Sequence, residues 1–474
     1  MPGRWPRLTN DEESGGSASG PGPRAHRETM VRKAATAAAV SGLSLALLGL
    51  GGIGLFTAGR REVSTPVSPR TSAALLGPAA GAMTLDRTIA SLQARLRTTP
   101  DDSRSHADLG LAYLQKGRIT ADPSWYPKAE GVLARSLSLN DEDARAPLGM
   151  GILSLARHDF AAALEWGRRA RAIDPYEAEA FGVIGDALVE LGRYSEAVGA
   201  FQEMIDLRPN LSSYARVSYA RELHGDVAGA IEAMTEAQAA SGGAPEDAAW
   251  VASQLGDLYL GTGRLGRAER EYRRGAYLAP EYVLPQVGLA KVAAIRGDLD
   301  RAAQKLAGIV DRYPAPEFVI LLGDLYGAAG RRGEAEAQYE LVQAMQQLYR
   351  DNGVNTDLEV ALFSADHGLD VEAALDRARA EYRRRPSIHA ADALGWTLYR
   401  TGRYREAARY AREALRLGTR DALLHFHAGM ISFRLGDRTG AERHLSEALA
   451  INSSFSFLHR KVAERTLERV RGEA

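Results

Sequence analysis

The 34 residues from Tyr176 to Pro209, YEAEAFGVIGDALVELGRYSEAVGAFQEMIDLRP, decide the fold. Phe181, Ile184 and Leu188 recur at intervals of three and four residues, which gathers them on one face of a helix. Gly185 lies on that face, where a bulkier side chain would hold a neighbouring helix away. Gly192 is expected to close the helix, because the left-handed conformation wanted there costs glycine nothing. Arg193 and Tyr194 lead into a second helix that buries Ala197, Phe201, Met204 and Ile205. Pro209 stops it, since a proline cannot continue the hydrogen-bond ladder.

The same pattern recurs along the chain. Gly185, Gly192 and Ala197 correspond to Gly256, Gly263 and Ala268, and again to Gly395, Gly402 and Ala407. The helix-closing position falls ten times, at Gly117, His158, Gly192, Gly225, Gly263, Gly297, Gly330, Leu369, Gly402 and Gly436. Six of the nine spacings are 33 or 34 residues, so the underlying period is 34. Pro175, Pro280, Pro314 and Pro386 stand where Pro209 does. A fixed period of this length predicts a stack of helical hairpins.

These residues resemble the tetratricopeptide repeat family, from about Thr84 to Asn452. The resemblance implies an all-α, right-handed superhelical solenoid of about ten hairpins, a non-enzymatic scaffold that binds a protein or peptide in its concave groove. The array is placed at 84–453, followed at 454–474 by a capping helix, with Phe455, Leu458, Val462 and Leu467 on one side, and a short tail. A solenoid buries its core only between neighbouring units and needs a polar end. Gly167 and Ala411 depart from the pattern by standing where the second helix usually carries an aromatic, and Leu362 takes the small-residue place in the eighth unit. Three spacings exceed the period. They place extra residues at Ile119 to Pro127 and at Ser241 to Pro245, and they make the second helix of the seventh unit overrun to about Tyr349, before Asp351-Asn352-Gly353 breaks it.

Composition excludes more than it assigns. The chain has no cysteine, which removes disulfides, thiolate catalysis and Cys-ligated zinc. Net charge is −1, so no global field attracts nucleic acid. No metalloprotease helix, phosphate loop or serine-nucleophile elbow is present, and no cofactor is expected. Gly49-Leu50-Gly51-Gly52-Ile53-Gly54 spells the dinucleotide fingerprint but lacks the flanking strand, helix and acidic residue that the motif requires.

From Ala34 to Gly59 run 26 residues without a charge. As a helix they would span roughly 39 Å, more than the bilayer's hydrocarbon thickness of about 30 Å. The segment is therefore expected to be a single transmembrane helix or a secretion signal, preceded by a disordered tail at 1–33 and followed by a flexible linker at 60–83. The basic residues flanking it lean toward an array outside the cell membrane. A secreted form after cleavage and a cytoplasm-facing adaptor remain the alternatives.

The richest polar constellation lies in the eighth and ninth units. Asp366, His367, His389 and Asp392 fall on first helices together with Trp396. They read either as a metal or polar-ligand site or as a helix-end turn with ordinary groove-wall side chains. The next unit offers Leu423, Phe426, Met430 and Phe433, which with Trp396 form the expected apolar wall for a peptide partner. Family members that grip chaperone C-termini use a Lys/Asn/Arg clamp; the matching sites here carry Glu179, Gly182 and Asp186, then Ser212, Ala215 and Tyr219, so the resemblance does not extend to that ligand.

Overall fold

A computed structural model describes residues 82–241, 245–456 and 459–472. The expected tail and span at 1–59, and nearly all of the linker, lie outside these residues. Among the described residues there are twenty-two α-helices and no strand, and no helix is long and apolar enough to cross a membrane. One helix, α1 (Ala82–Thr98), precedes the array. Ten hairpins follow: α2 (Ser103–Thr120) with α3 (Trp125–Leu139), α4 (Arg145–Ala156) with α5 (Phe160–Ile173), and α6 (Ala178–Glu190) with α7 (Tyr194–Leu207). Next come α8 (Leu211–Leu223) with α9 (Val227–Ala239), α10 (Pro245–Gly261) with α11 (Leu265–Leu278), and α12 (Val283–Ile295) with α13 (Leu299–Val310). The last four are α14 (Pro316–Ala328) with α15 (Arg332–Asp351), α16 (Asp357–His367) with α17 (Val371–Arg384), α18 (Ile388–Arg400) with α19 (Tyr404–Ala414), and α20 (Ala422–Arg434) with α21 (Arg438–Ile451). The last helix is α22 (Arg460–Arg471).

Each hairpin closes for the reason its residues give. At Gly192 the backbone is left-handed (φ 71°), and the next amide, of Arg193, reaches back to the Leu188 carbonyl at 2.8 Å, satisfying a carbonyl the helix end leaves open. His158 does take the glycine's place, with φ 59°. Two expected positions are corrected. In the first hairpin α2 gains a turn, so Gly117 is helical and Ala121 (φ 60°) closes it; this extra turn absorbs much of the insertion. In the eighth, Gly368 (φ 66°) closes the helix one residue before Leu369.

Packing glycines sit under rings. A Cβ on Gly185 would lie 2.2 Å from Phe201, and one on Gly256 would lie 2.3 Å from Tyr272. Gly288, on the next hairpin, would meet the same Tyr272 ring at 2.3 Å. Where Ala411 replaces the aromatic, a Cβ on Gly395 would meet the Ala411 amide nitrogen at 3.3 Å, so the helices approach backbone to backbone instead.

The hairpins wind through a complete turn and meet themselves. Six units on, the loop leading into a hairpin docks on the central turn of an earlier one. Tyr313 donates to the Arg118 carbonyl at 3.2 Å, and the Asn355 amide donates to the Arg157 carbonyl at 3.0 Å. The Ile388 amide donates to Tyr194 Oη at 2.8 Å, and Asn452 Nδ2 donates to the Leu260 carbonyl at 2.9 Å. Between them, a Cβ on Gly225 would lie 2.5 Å from the Gly418 carbonyl oxygen. At the centre of this seam Arg385 is 3% exposed and holds Glu190 at 2.5 Å across it, with Glu381 bonded on its other side. Arg385 also lies over the Phe160 ring at 4.8 Å.

Candidate functional site

The winding encloses an interior cavity of about 370 Å³, lined mainly by the first helices of the fourth to tenth hairpins and closed below by the loop after α21. Its floor repeats one device. Asp257 and Asp324 each follow a packing glycine by one residue, which turns the carboxylate from the hairpin interface toward the interior. Each accepts a hydrogen bond at 2.8 Å from a tyrosine of its own second helix, Tyr272 and Tyr339.

A staircase of ring-to-carboxylate bonds then links successive first helices. His367 Nε2 on α16 lies 2.7 Å from Asp324 on α14. Trp396 Nε1 on α18 donates to Asp366 on α16 at 2.8 Å, and His427 Nδ1 on α20 lies 2.9 Å from Asp392 on α18. His367 also has Nδ1 at 2.8 Å from the Phe363 carbonyl. Burial disfavours its charge, but the Asp324 hydrogen bond and the nearby Asp324 and Asp366 charges outweigh that and raise its pKa above the ordinary value.

Asp366, His367, His389 and Asp392 all line this cavity. The Asp366 and Asp392 carboxylates are engaged with Trp396 and His427, and His367 with Asp324. Among the described residues no group of three His, Asp or Glu side chains is placed to hold a metal ion. The expected apolar wall needs correction. Trp396 (2% exposed), Phe426 (1%) and Met430 (8%) belong to a core cluster with Phe455 and Leu467, and Phe433 is half-buried outside the cavity lining. Only Leu423 of the five reaches the cavity. Two neighbours cause this: His427 of the tenth hairpin stacks on Trp396 at 4.1 Å, and Phe455 with the start of the cap packs over Phe426, on the face that a further hairpin would otherwise cover.

The clamp positions of the third and fourth hairpins hold an internal network. Arg216, 1% exposed, forks onto Asp186 at 2.9 and 2.8 Å, and Ser212 Oγ donates to Glu179 at 3.3 Å. Burial pushes the Glu179 carboxyl up to about 7. The charged lining residues that sequence reasoning missed are Glu222, Asp257, Lys291, Glu317, Asp324, Glu359 and Asp421. A signal for two of them was present, in the recurrence of Gly-Asp at Gly185-Asp186, Gly256-Asp257 and Gly323-Asp324.

The repeat geometry has counterparts among known proteins. A tetratricopeptide repeat profile matches residues 183–245, 253–317 and 393–454. The chain is 25% identical over 264 residues to the cellulose synthase 1 operon protein C of Komagataeibacter xylinus, a match covering 56% of this chain and 18% of that protein. It thus spans under a fifth of the length of this relative. Among solved structures, the human IFIT1 dimer with PPP-AAAA aligns with a TM-score of 0.44 at 14% identity, over 70% of this chain and 78% of that one. A thermophilic TPR protein of Thermus thermophilus aligns with a TM-score of 0.36 at 22% identity, over 40% of this chain and 99% of that one.

Proposed function

The chain is built from tetratricopeptide repeats, and on that premise we propose that it is a non-enzymatic scaffold that holds a protein or peptide partner inside its superhelix. One observation carries this reading: the first helices of seven consecutive hairpins face a single interior space of about 370 Å³, within the roughly 300–1,000 Å³ of ligand sites. The test is site-specific photocrosslinking. A benzophenone side chain at Gln254 or Gln346, both lining the cavity, should trap the partner in cells. The same group at Tyr277, 84% exposed on the second helix α11, should not. The reverse pattern would move binding to the outer surface.

The scaffold is proposed to be tethered to the cell membrane through residues 34–59 and to work outside the cytoplasm. Support comes from the uncharged run and the Arg32-Lys33 and Arg60-Arg61 pairs that bracket it. Fractionation with N-terminal sequencing tests this: a mature start near Arg60 in the soluble fraction defeats the tether in favour of a cleaved, secreted form. A finer reading, service in a polysaccharide-synthesising assembly, draws on the likeness to the cellulose synthase operon protein. Crosslinks that lead to no such assembly would remove it and leave the scaffold standing.

A further inference from the structure

The cavity has a charge that the chain as a whole does not foretell. The sequence is balanced, with 59 basic and 60 acidic residues. Yet eight carboxylates line the interior, from Glu222 to Asp421, against one ammonium, Lys291, and no arginine. Lys291 stands 3.8 Å from Asp257, and the imidazoles of His367 and His389 are the other lining groups able to carry positive charge. From outside the lining, Arg385 approaches Glu359 at 3.8 Å, His158 stands 4.0 Å from the same carboxylate, and His427 Nδ1 lies 2.9 Å from Asp392; within the lining itself the acids outnumber the lysine and the two histidines. Carboxylates held together in a confined, partly apolar space create a strongly negative potential, which a cation entering the space relieves.

A second feature is independent of charge. Tyr349, on the overlong α15, lines the same cavity at 2% exposure, and its buried hydroxyl has no hydrogen-bond partner among the described residues. Buried polar groups are nearly always paired, so an orphaned phenol beside a cavity marks a place for a ligand's polar atom. Leu258, Phe318 and Leu362 supply apolar wall between the acids.

We propose that the occupant is an extended peptide segment in which Lys or Arg side chains alternate with small apolar ones. The cations meet carboxylates such as Asp257 and Glu317, a backbone carbonyl accepts from Tyr349 Oη, and the apolar side chains lie on the wall. This rests on the interior being the binding surface, as the crosslinking experiment tests separately.

The test uses the full chain, solubilised in detergent, and a fluorescent octapeptide, Ala-Lys-Val-Arg repeated twice, with an acidic twin carrying Glu and Asp in place of Lys and Arg. Saturable binding of the basic peptide is expected, with none by the twin. Asp257→Asn combined with Glu317→Gln should weaken it by about tenfold or more, as the loss of charged contacts at a buried centre does. Tyr349→Phe should also weaken binding without lowering the thermal midpoint, whereas a purely structural hydroxyl would leave affinity unchanged. Equal binding by the acidic twin, or unchanged affinity in these variants, overturns the proposal while interior crosslinks at Gln254 can still stand. Spermine displacing the peptide at equal concentration would assign the cavity to a free polyamine and overturn the peptide.

Discussion

His158 shows how much one residue can carry. It closes α4 in the left-handed conformation that the equivalent glycines adopt, and its Nδ1 lies 2.7 Å from the Asn355 carbonyl across the seam. Burial, then the Arg385 charge, depresses its pKa from 6.5 to about 4, against the smaller pull of Glu190 and Glu381; Glu359 stands 4.0 Å away. The folded chain therefore keeps His158 neutral where the unfolded chain protonates it. Between pH 6.5 and about 4 the unfolded state binds more protons, so this residue's contribution falls as pH drops through that window. The loss is bounded at about 3.5 kcal/mol, from roughly 1.4 kcal/mol per pKa unit. His158→Asn, which tolerates positive φ, should flatten stability against pH over this interval in urea titrations. Parallel curves for variant and parent would show that His158 does not titrate as its burial demands.

At the scale of the hairpin, sequence and structure agree because the determinants are local. Gly256 can be read as a packing position from its spacing to Gly263 and Ala268, and the structure finds the Tyr272 ring where its Cβ would be. Tyr272 is fully buried and its hydroxyl is fixed on Asp257, so the ring cannot retreat. Even Gly256→Ala should therefore overpack the α10–α11 interface and cost about 1–3 kcal/mol, despite alanine's better helix propensity. An unchanged urea midpoint would mean that the two helices separate freely. The local code failed where a neighbour outside the repeat intervened. Trp396, Phe426 and Met430 occupy first-helix positions that read as groove wall, but His427 of the next hairpin stacks on Trp396, and Phe455 and His459 of the cap cover Phe426. Likewise the Asp366–His367–His389–Asp392 group is legible as a cluster by repeat position, but its bonds run to Asp324, Trp396 and His427 on adjacent hairpins. Periodicity places a residue on a helix face; it does not choose its partner there.

The closed superhelix was not legible at all, and the reason is geometric. Whether a solenoid meets itself depends on small rotations and rises summed over six hairpins, and no single residue encodes that sum. The contacts it creates join residues nearly two hundred apart, as between Tyr194 and Ile388 or Glu190 and Arg385. Because each hairpin is otherwise stabilised only by its sequence neighbours, the seam and the hairpins should be separable. Arg385→Met strands Glu190 as a buried charge without its guanidinium, while Glu381 keeps Arg384 and Asn355, a loss of about 3–5 kcal/mol for breaking a buried pair. Tyr194→Phe removes the acceptor of the Ile388 amide and leaves it unpaired, at about 1–3 kcal/mol. Combined, they should open the winding rather than unfold it. Helicity by circular dichroism should stay near the parent's while the radius of gyration from small-angle scattering increases. Amide exchange should accelerate at Ile388 and Asn355 but not within α10 or α11, far from the altered turn. Expansion accompanied by equal loss of helicity would show that seam and hairpins form one cooperative unit. No expansion at all would show that the successive turns are held together without these two residues, and that the interior is enclosed by the curvature of the array alone.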